Sequence, residues 1–218
     1  MVRVKICGVT TREDALLACE LGADAVGLNF FPESPRCISP HAAERIVRSL
    51  PPFVAAVGVF VNWKPAAVVA LAKALRLSAA QLHGEETPHE VGELATEFKV
   101  IKALRPDQQT KLSSLAVYRG VSAFLLDAAY TSGYGGSGVP ADWDFARIAA
   151  QSHRVILAGG LTSKNVAEAM RKVRPYAVDV ASGVESKPGK KDKAKLKAFF
   201  AEVARVNKSS ADWPAESA

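Results

Sequence analysis

The chain has 218 residues, 49% of them hydrophobic and 23% charged, with a formal net charge of +6. That composition is globular, and roughly 200–250 residues in one domain is common for α/β barrels. No run is long and apolar enough to span a bilayer, and the N-terminus moves straight into a strand pattern, so the expectation is a cytoplasmic protein with no membrane association. The three cysteines, Cys7, Cys19 and Cys37, show no paired spacing and no CxxC or HExxH pattern occurs, which argues for a reducing compartment and against a disulfide framework, a structural zinc site or a zincin site.

Eight apolar, β-branched runs recur along the chain, and each hands over to a different kind of loop. The first, Arg3–Ile6, ends in Cys7-Gly8, and Thr11 then stands before a helical pattern closed by Gly22. The second, Ala25–Asn29, leads into "NFFPESPRCIS" with Arg36, after which Pro40 suits the first turn of a helix. The third, Ala55–Val61, is followed by Asn62 and a helix opening at Pro65. After the fourth, Ala79–Leu82, come His83 and then Thr87, Pro88 and Glu90 in capping-box order. The fifth, Lys99–Lys102, runs toward Arg105 and has the weakest helix behind it, around Gln108–Val117. The sixth, Ala123–Leu126, stops at Asp127, and the glycine-rich "SGYGGSGVP" precedes the helical "DWDFARIAAQ". The seventh, Val155–Ala158, gives way to Gly159-Gly160 and "TSKNVAEAMRKV", and the eighth, Ala177–Val180, to Ser182-Gly183. A last helix covers about Asp192 to Val206.

Near-continuous apolar strands alternating with helices point to a parallel sheet buried on both faces. Count and length fit a single-domain (β/α)8 TIM barrel best, with an open doubly wound sheet second. The absence of GxGxxG after the first strand weakens a dinucleotide-binding reading. The expected division is a catalytic barrel over residues 1–207 and a disordered polar tail over 208–218. The lysine-rich stretch Lys187 to Lys197 reads as a solvated helix face, or else as an attractor for an anionic substrate. It lacks the interleaved aromatics of a nucleic-acid surface.

In a barrel, chemistry sits at the C-terminal ends of the strands. The glycines after strands seven and eight, with Ser182, are placed to hold phosphate through backbone N–H groups and a short helix start, or simply to make tight turns. Asp127 is a candidate proton donor or a helix cap, and Arg36 a candidate carboxylate clamp or surface charge. His83 is a candidate binding residue or a structural histidine. Cys7, near helix N-termini and an anion site, is expected to favour its thiolate, which is a nucleophile and also a base. Cys19 reads as core, and Cys37 has no evident task.

The segments "KICGVT", "GADAVGLNFFPESPRCIS", "VGVFVN", "QLHGEE", "LLDA", "GGSG", "LAGGL", "VDVASGVE" and "PGKKD" together resemble the phosphoribosylanthranilate isomerases of tryptophan biosynthesis over nearly the whole chain. The one departure is Ser137 in Gly135-Gly136-Ser137-Gly138, where the family commonly has threonine. The resemblance implies a (β/α)8 barrel and a cofactor-free, metal-free Amadori rearrangement of a small phosphorylated substrate. It implies Cys7 as general base and Asp127 as general acid. It also implies Arg36 on the anthranilate carboxylate, and the loops of Gly135, Gly136, Gly138, Gly159, Gly160, Ser182 and Gly183 on the phosphate. His83 joins the substrate-binding set. A homodimer or a monomer is expected, and action on the related histidine-pathway aminoaldose stays open. Rival readings are a metal-dependent epimerase, a non-catalytic phosphometabolite binder and a cysteine hydrolase using Cys7 with His83.

Overall fold

The structure is a computed structural model that describes residues 1–107, 109–127 and 142–209. Eight parallel strands close into a barrel in sequence order. They are β1 (Arg3–Ile6), β2 (Ala25–Asn29), β3 (Ala55–Phe60), β4 (Ala79–Leu82), β5 (Val100–Leu104), β6 (Ala123–Leu126), β7 (Val155–Leu157) and β8 (Ala177–Val180). The crossovers are α1 (Arg12–Glu20), α2 (Pro40–Val47), α3 (Pro65–Ala74), α4 (Pro88–Ala95), α5 (Ser113–Ala116), α6 (Trp143–Ala149) and α7 (Val166–Val173). Closure comes from β1 pairing with β8, with Lys5 level with Asp179 and Ile6 with Val180.

Local chemistry sets the helix starts. The Thr11 hydroxyl accepts from the Asp14 amide at 3.2 Å. Thr87 and Glu90 form the reciprocal capping box, with Pro88 at the first helical position. Ser39 caps α2 ahead of Pro40. Such caps satisfy backbone donors that the helix leaves over. The weak fifth crossover is one turn, α5, pinned by buried Leu115.

Strand parity divides the apolar residues into two cores. Val57, Ala79, Ile101, Ala103, Ala123, Leu125, Ile156, Ala158 and Ala177 fill the barrel lumen. Their strand neighbours, such as Ala56, Ala80, Val100, Phe124, Leu126 and Val178, face outward into the larger core beneath the helices. Both faces are therefore buried, which is why the runs read as continuous rather than alternating. The polar residues obey the same rule. Lys5, Gln81 and Asp179 are buried lumen positions one layer below the rim, while Lys102, facing outward, meets Glu86 at 2.7 Å and the Gly84 carbonyl at 2.7 Å.

Beyond β8 the chain departs from the sequence expectation. A 3-10 turn (Ser182–Val184) leads into a small antiparallel hairpin, β9 (Glu185–Lys187) with β10 (Lys190–Lys191), before α8 (Lys193–Ser209). The lysine-rich stretch is thus part hairpin and part helix, and Lys191 is buried. The solvated-face reading fails there because the Gly189 turn folds Lys191 inward against the end of β1, where its ammonium donates to the Cys7 carbonyl at 2.6 Å. Helix α8 continues through Ser209, two residues past the expected domain end, and residues 210–218 of the expected tail lie outside the described residues.

Candidate active site

At the C-terminal rim one cavity is lined by Cys7, Arg36, His83, Asp127, Gly159, Gly160 and Ser182, together with Asn29 and Asp179. Residues chosen from six different strand ends thus converge. Parity explains why: Cys7 continues the lumen face two residues after Lys5, His83 follows Gln81, and Asp127 follows Leu125.

Cys7 sits on a charged wall. Its amide donates to the Val180 carbonyl at 2.9 Å, fixing it to β8. Beneath it, Lys5 Nζ meets Asp179 Oδ1 at 2.8 Å, with the two side chains 4% and 8% exposed. A Cβ placed on Gly27 would lie 2.8 Å from Cys7 Sγ and 3.1 Å from Lys5 Nζ, so thiol and ammonium pack together against bare β2 backbone. Burial pushes the Cys7 thiol above its ordinary range; Lys5 opposes that, Asp179 adds to it, and Lys191 opposes it again. The expectation of a thiolate favoured by helix N-termini is therefore corrected, because desolvation of the anion outweighs the nearby cations. Burial also works against the Lys5 ammonium, but Asp179 and Cys7 overcome it and raise its pKa.

Arg36 is brought to the same wall by its loop. The Asn29 side chain accepts from the Phe31 amide and donates to the Ser34 hydroxyl, which in turn accepts from the Arg36 amide. Gly8, at φ 68°, lets the Arg36 stem lie over it; a Cβ there would run into that stem. The guanidinium is gripped from outside the cavity by Glu185, Nε to Oε1 at 2.9 Å and Nη2 to Oε2 at 2.7 Å. Glu185 also accepts from buried Lys191 at 2.8 Å. Burial opposes the Glu185 carboxylate, but the Arg36 and Lys191 donors outweigh it and hold its pKa below the usual value. Two cations share one carboxylate, so this cluster carries a net positive charge beside the cavity.

The facing wall holds His83 and Asp127. The Asp127 amide donates to the Leu104 carbonyl at 2.9 Å. His83 Nε2 lies 3.2 Å from Asp127 Oδ2, but the alignment is poor and Nε2 makes no hydrogen bond among the described residues. The Gln81 amide nitrogen is 2.8 Å from His83 Nδ1. An amide nitrogen only donates, so this contact is a hydrogen bond in the tautomer whose Nδ1 accepts.

The third side is the pair of loops after β7 and β8. Gly159 and Gly160 have φ of 78° and 64°, a conformation that suits glycine, and Asn165 Nδ2 ties down the Gly160 carbonyl at 3.0 Å. Ser182 opens the 3-10 turn. A Cβ on Gly183 would strike the Leu161 carbonyl, so this glycine serves the close packing of the two loops. Gly135, Gly136 and Gly138 lie outside the described residues. Cys19 is half-buried on α1 and Cys37 is exposed. Among the described residues no three His, Cys, Asp or Glu side chains form a metal-binding group, and no helix is long and apolar enough to cross a membrane.

Lys5, Gln81, Asp179, Glu185 and Lys191 escaped the reading of strand ends. Counting back by two from Cys7, His83 and Ala181 would have reached the first three, because that step keeps to the lumen face and a buried polar residue there must have a partner. No short-range signal marks Glu185, which meets Arg36 across 149 residues of chain, or Lys191, which meets the Cys7 carbonyl across 184.

Residues 4–202 match the family described as N-(5'-phosphoribosyl)anthranilate isomerase. The chain is 54% identical over 201 residues to the N-(5'-phosphoribosyl)anthranilate isomerase of Trichlorobacter lovleyi, covering 92% of this chain and 97% of that one. It is 43% identical, with a TM-score of 0.84 and coverage of 94% and 100%, to a phosphoribosyl anthranilate isomerase solved with reduced 1-(o-carboxyphenylamino)-1-deoxyribulose 5-phosphate. Against monomers generated from a dimeric Thermotoga maritima isomerase the identity is 41%, the TM-score 0.83 and the coverage 94% and 99%. The barrel, its rim and this likeness lead to one conclusion: the chain belongs to the phosphoribosylanthranilate isomerase family.

Proposed function

We propose that the chain isomerises N-(5-phosphoribosyl)anthranilate to 1-(2-carboxyphenylamino)-1-deoxyribulose 5-phosphate in tryptophan biosynthesis, with Asp127 as general acid and Cys7 as general base. The observation that carries this reading is the placement of those two groups in one cavity, at the ends of β6 and β1, three strands apart round the barrel. Asp127 protonates the ribose ring oxygen, the bond from that oxygen to C1 breaks, and the anilino nitrogen pair forms the C1=N iminium. The Cys7 thiolate then takes the proton from C2. The electrons of that C–H bond form C1=C2, neutralise the iminium and leave an enolamine, which tautomerises to the ketone. The iminium is the electron sink.

Arg36 takes the anthranilate carboxylate. Its Nε and one Nη2 proton are committed to Glu185, which leaves the Nη1 edge for the substrate and fixes the fork's plane. The net positive charge of the Arg36–Glu185–Lys191 group favours that second carboxylate. The Gly159-Gly160 and Ser182-Gly183 backbone holds the phosphate, and the family resemblance adds Gly135, Gly136 and Gly138 to that site. His83 orients Asp127 and contacts the opened sugar. The protein works in the cytoplasm as a homodimer or monomer.

The test is turnover of freshly generated phosphoribosylanthranilate, followed by loss of anthranilate fluorescence and coupled product formation. Activity that persists after exhaustive chelation supports the reading. Binding of a product analogue without turnover would replace it with a phosphometabolite-binding role.

A further inference from the structure

Lys5 has no part in the proton transfers above, yet it is a lysine buried in the barrel lumen directly beneath the reacting thiol. A buried ion pair is a poor device for stability alone, since desolvation of both charges offsets their attraction. An apolar pair of similar volume would fill the same layer, as Ile101 and Ala123 do on the opposite side. The position asks for another reason. Lys5 and Cys7 share one face of β1, and both reach the space that a side chain on Gly27 would occupy. We propose that Lys5, held in place by Asp179, is a positioning residue whose ammonium faces the Cys7 sulfur and sets how readily that thiol ionises.

The proposal rests on Cys7 being the general base. The other charged groups around Cys7 do not replace Lys5. From β10, Lys191 faces the Cys7 backbone carbonyl and is shared with Glu185. From the β2 loop, the Arg36 fork is committed to Glu185. His83 and Asp127 stand on the facing wall, on β4 and β6. Asp179, on β8, opposes ionisation of Cys7. Lys5 is thus a cation between two anionic sites. When Cys7 is a thiol, Lys5 and Asp179 neutralise each other. When Cys7 is a thiolate, the same ammonium serves both. Asp179 keeps that stabilisation partial, so the thiolate remains basic enough to take a carbon-bound proton. A base works best when its pKa is neither far above nor far below the working pH.

The geometry gives the test opposite signs. Alkylation of Cys7 by iodoacetamide, followed peptide by peptide by mass spectrometry, reports the thiolate fraction at each pH without need of substrate. An opposite charge at this range shifts a pKa by about 1–3 units. Lys5→Met should therefore move the alkylation midpoint up, slowing the reaction at neutral pH by roughly ten- to a thousandfold. Asp179→Asn should move it down, and Lys5→Arg should leave it near the wild-type value. A purely structural ion pair predicts lower melting temperatures with an unmoved midpoint. If Lys5→Met fails to fold because Asp179 is stranded, Lys5→Met on the Asp179→Asn background answers the same question: the added substitution must raise the midpoint. Equal midpoints with and without Lys5, or shifts of one sign for Lys5→Met and Asp179→Asn, overturn the proposal. The reading of Cys7 as base fails separately. A fully active Cys7→Ser would remove it while a Lys5-dependent midpoint still stood, and an inactive Cys7→Ser with a Lys5-independent midpoint would do the reverse.

Discussion

The two walls of the cavity rest on different lumen layers. Under Cys7 the lumen layer is ionic: Lys5 with Asp179, and Lys191 with Glu185 just outside it. Under His83 and Asp127 the corresponding layer is a neutral amide, Gln81. A thiol that must become an anion in a buried place needs compensating charge, because desolvation penalises the charged form. The wall of His83 and Asp127 also carries a cation, but above the strands rather than beneath them: Arg105 Nη2 donates to the His83 carbonyl at 3.3 Å. The two walls therefore differ in what lies buried beneath them, an ion pair under Cys7 and an uncharged amide under His83.

Removing the two proton carriers gives the largest effect and tests whether the walls have distinct jobs. General acid–base catalysis contributes about 10²–10⁴-fold. Cys7→Ser should lower kcat by that order with KM and melting temperature nearly unchanged, since a hydroxyl hardly ionises at neutral pH. Asp127→Asn should be comparably severe. The two should part on a substrate already opened to the iminium, which needs the base and no longer the ring-opening acid. Equal defects on both substrates would collapse the distinction.

Arg36→Met comes next and probes the charged wall alone. A charge-assisted hydrogen bond contributes about 1.5–3 kcal/mol, so kcat/KM should fall roughly ten- to a hundredfold, chiefly through KM. A substrate analogue without the carboxylate should be nearly insensitive. Equal sensitivity of both substrates would remove Arg36 from the carboxylate site and leave it as the partner of Glu185.

The smallest effect belongs to the wall of His83 and Asp127. Gln81→Leu deletes the hydrogen bond to His83 Nδ1, an interaction of about 0.5–1.5 kcal/mol, and should cost at most about tenfold in kcat. The alkylation midpoint of Cys7 should not move. A shift of that midpoint would mean the walls communicate, and the contrast between them would have to be redrawn.

The barrel was legible because its strands are apolar on both faces. The apolar, β-branched runs and the turn residues behind them locate Arg3–Ile6, Ala25–Asn29, Ala79–Leu82, Ala123–Leu126 and Ala177–Val180 to the residue. The caps at Thr11 and Thr87 were equally plain, since capping is chemistry between residues three apart. The rim residues Cys7, Arg36, His83 and Asp127 could be named because each follows a strand. Their environments could not. Whether burial or a cation dominates at Cys7 depends on Lys5, on Asp179 at a separation of 174 residues from Lys5, and on solvent access, none of which is a property of the segment "KICG". The hairpin of β9 and β10 was missed for a similar reason. Its lysines look like a helix face until Lys191 is seen turned inward.

The closure of the barrel by β1 against β8 has a further consequence for how the enzyme comes to life. Val2 exchanges two hydrogen bonds with the Asn207 side chain, Lys5 needs Asp179, and the Cys7 carbonyl needs Lys191. Cys7 is thus synthesised well before the residues that surround it, Asp179 and Lys191. Closing so long a loop carries a large entropic cost that only the completed β1–β8 ladder offsets. A nascent chain can pack its middle strands early, but Cys7 lacks its β8 and β10 partners until the final crossover is synthesised. The surroundings of Cys7 are therefore completed late, and termination anywhere before Lys191 yields a chain in which the Cys7 carbonyl lacks its buried ammonium partner.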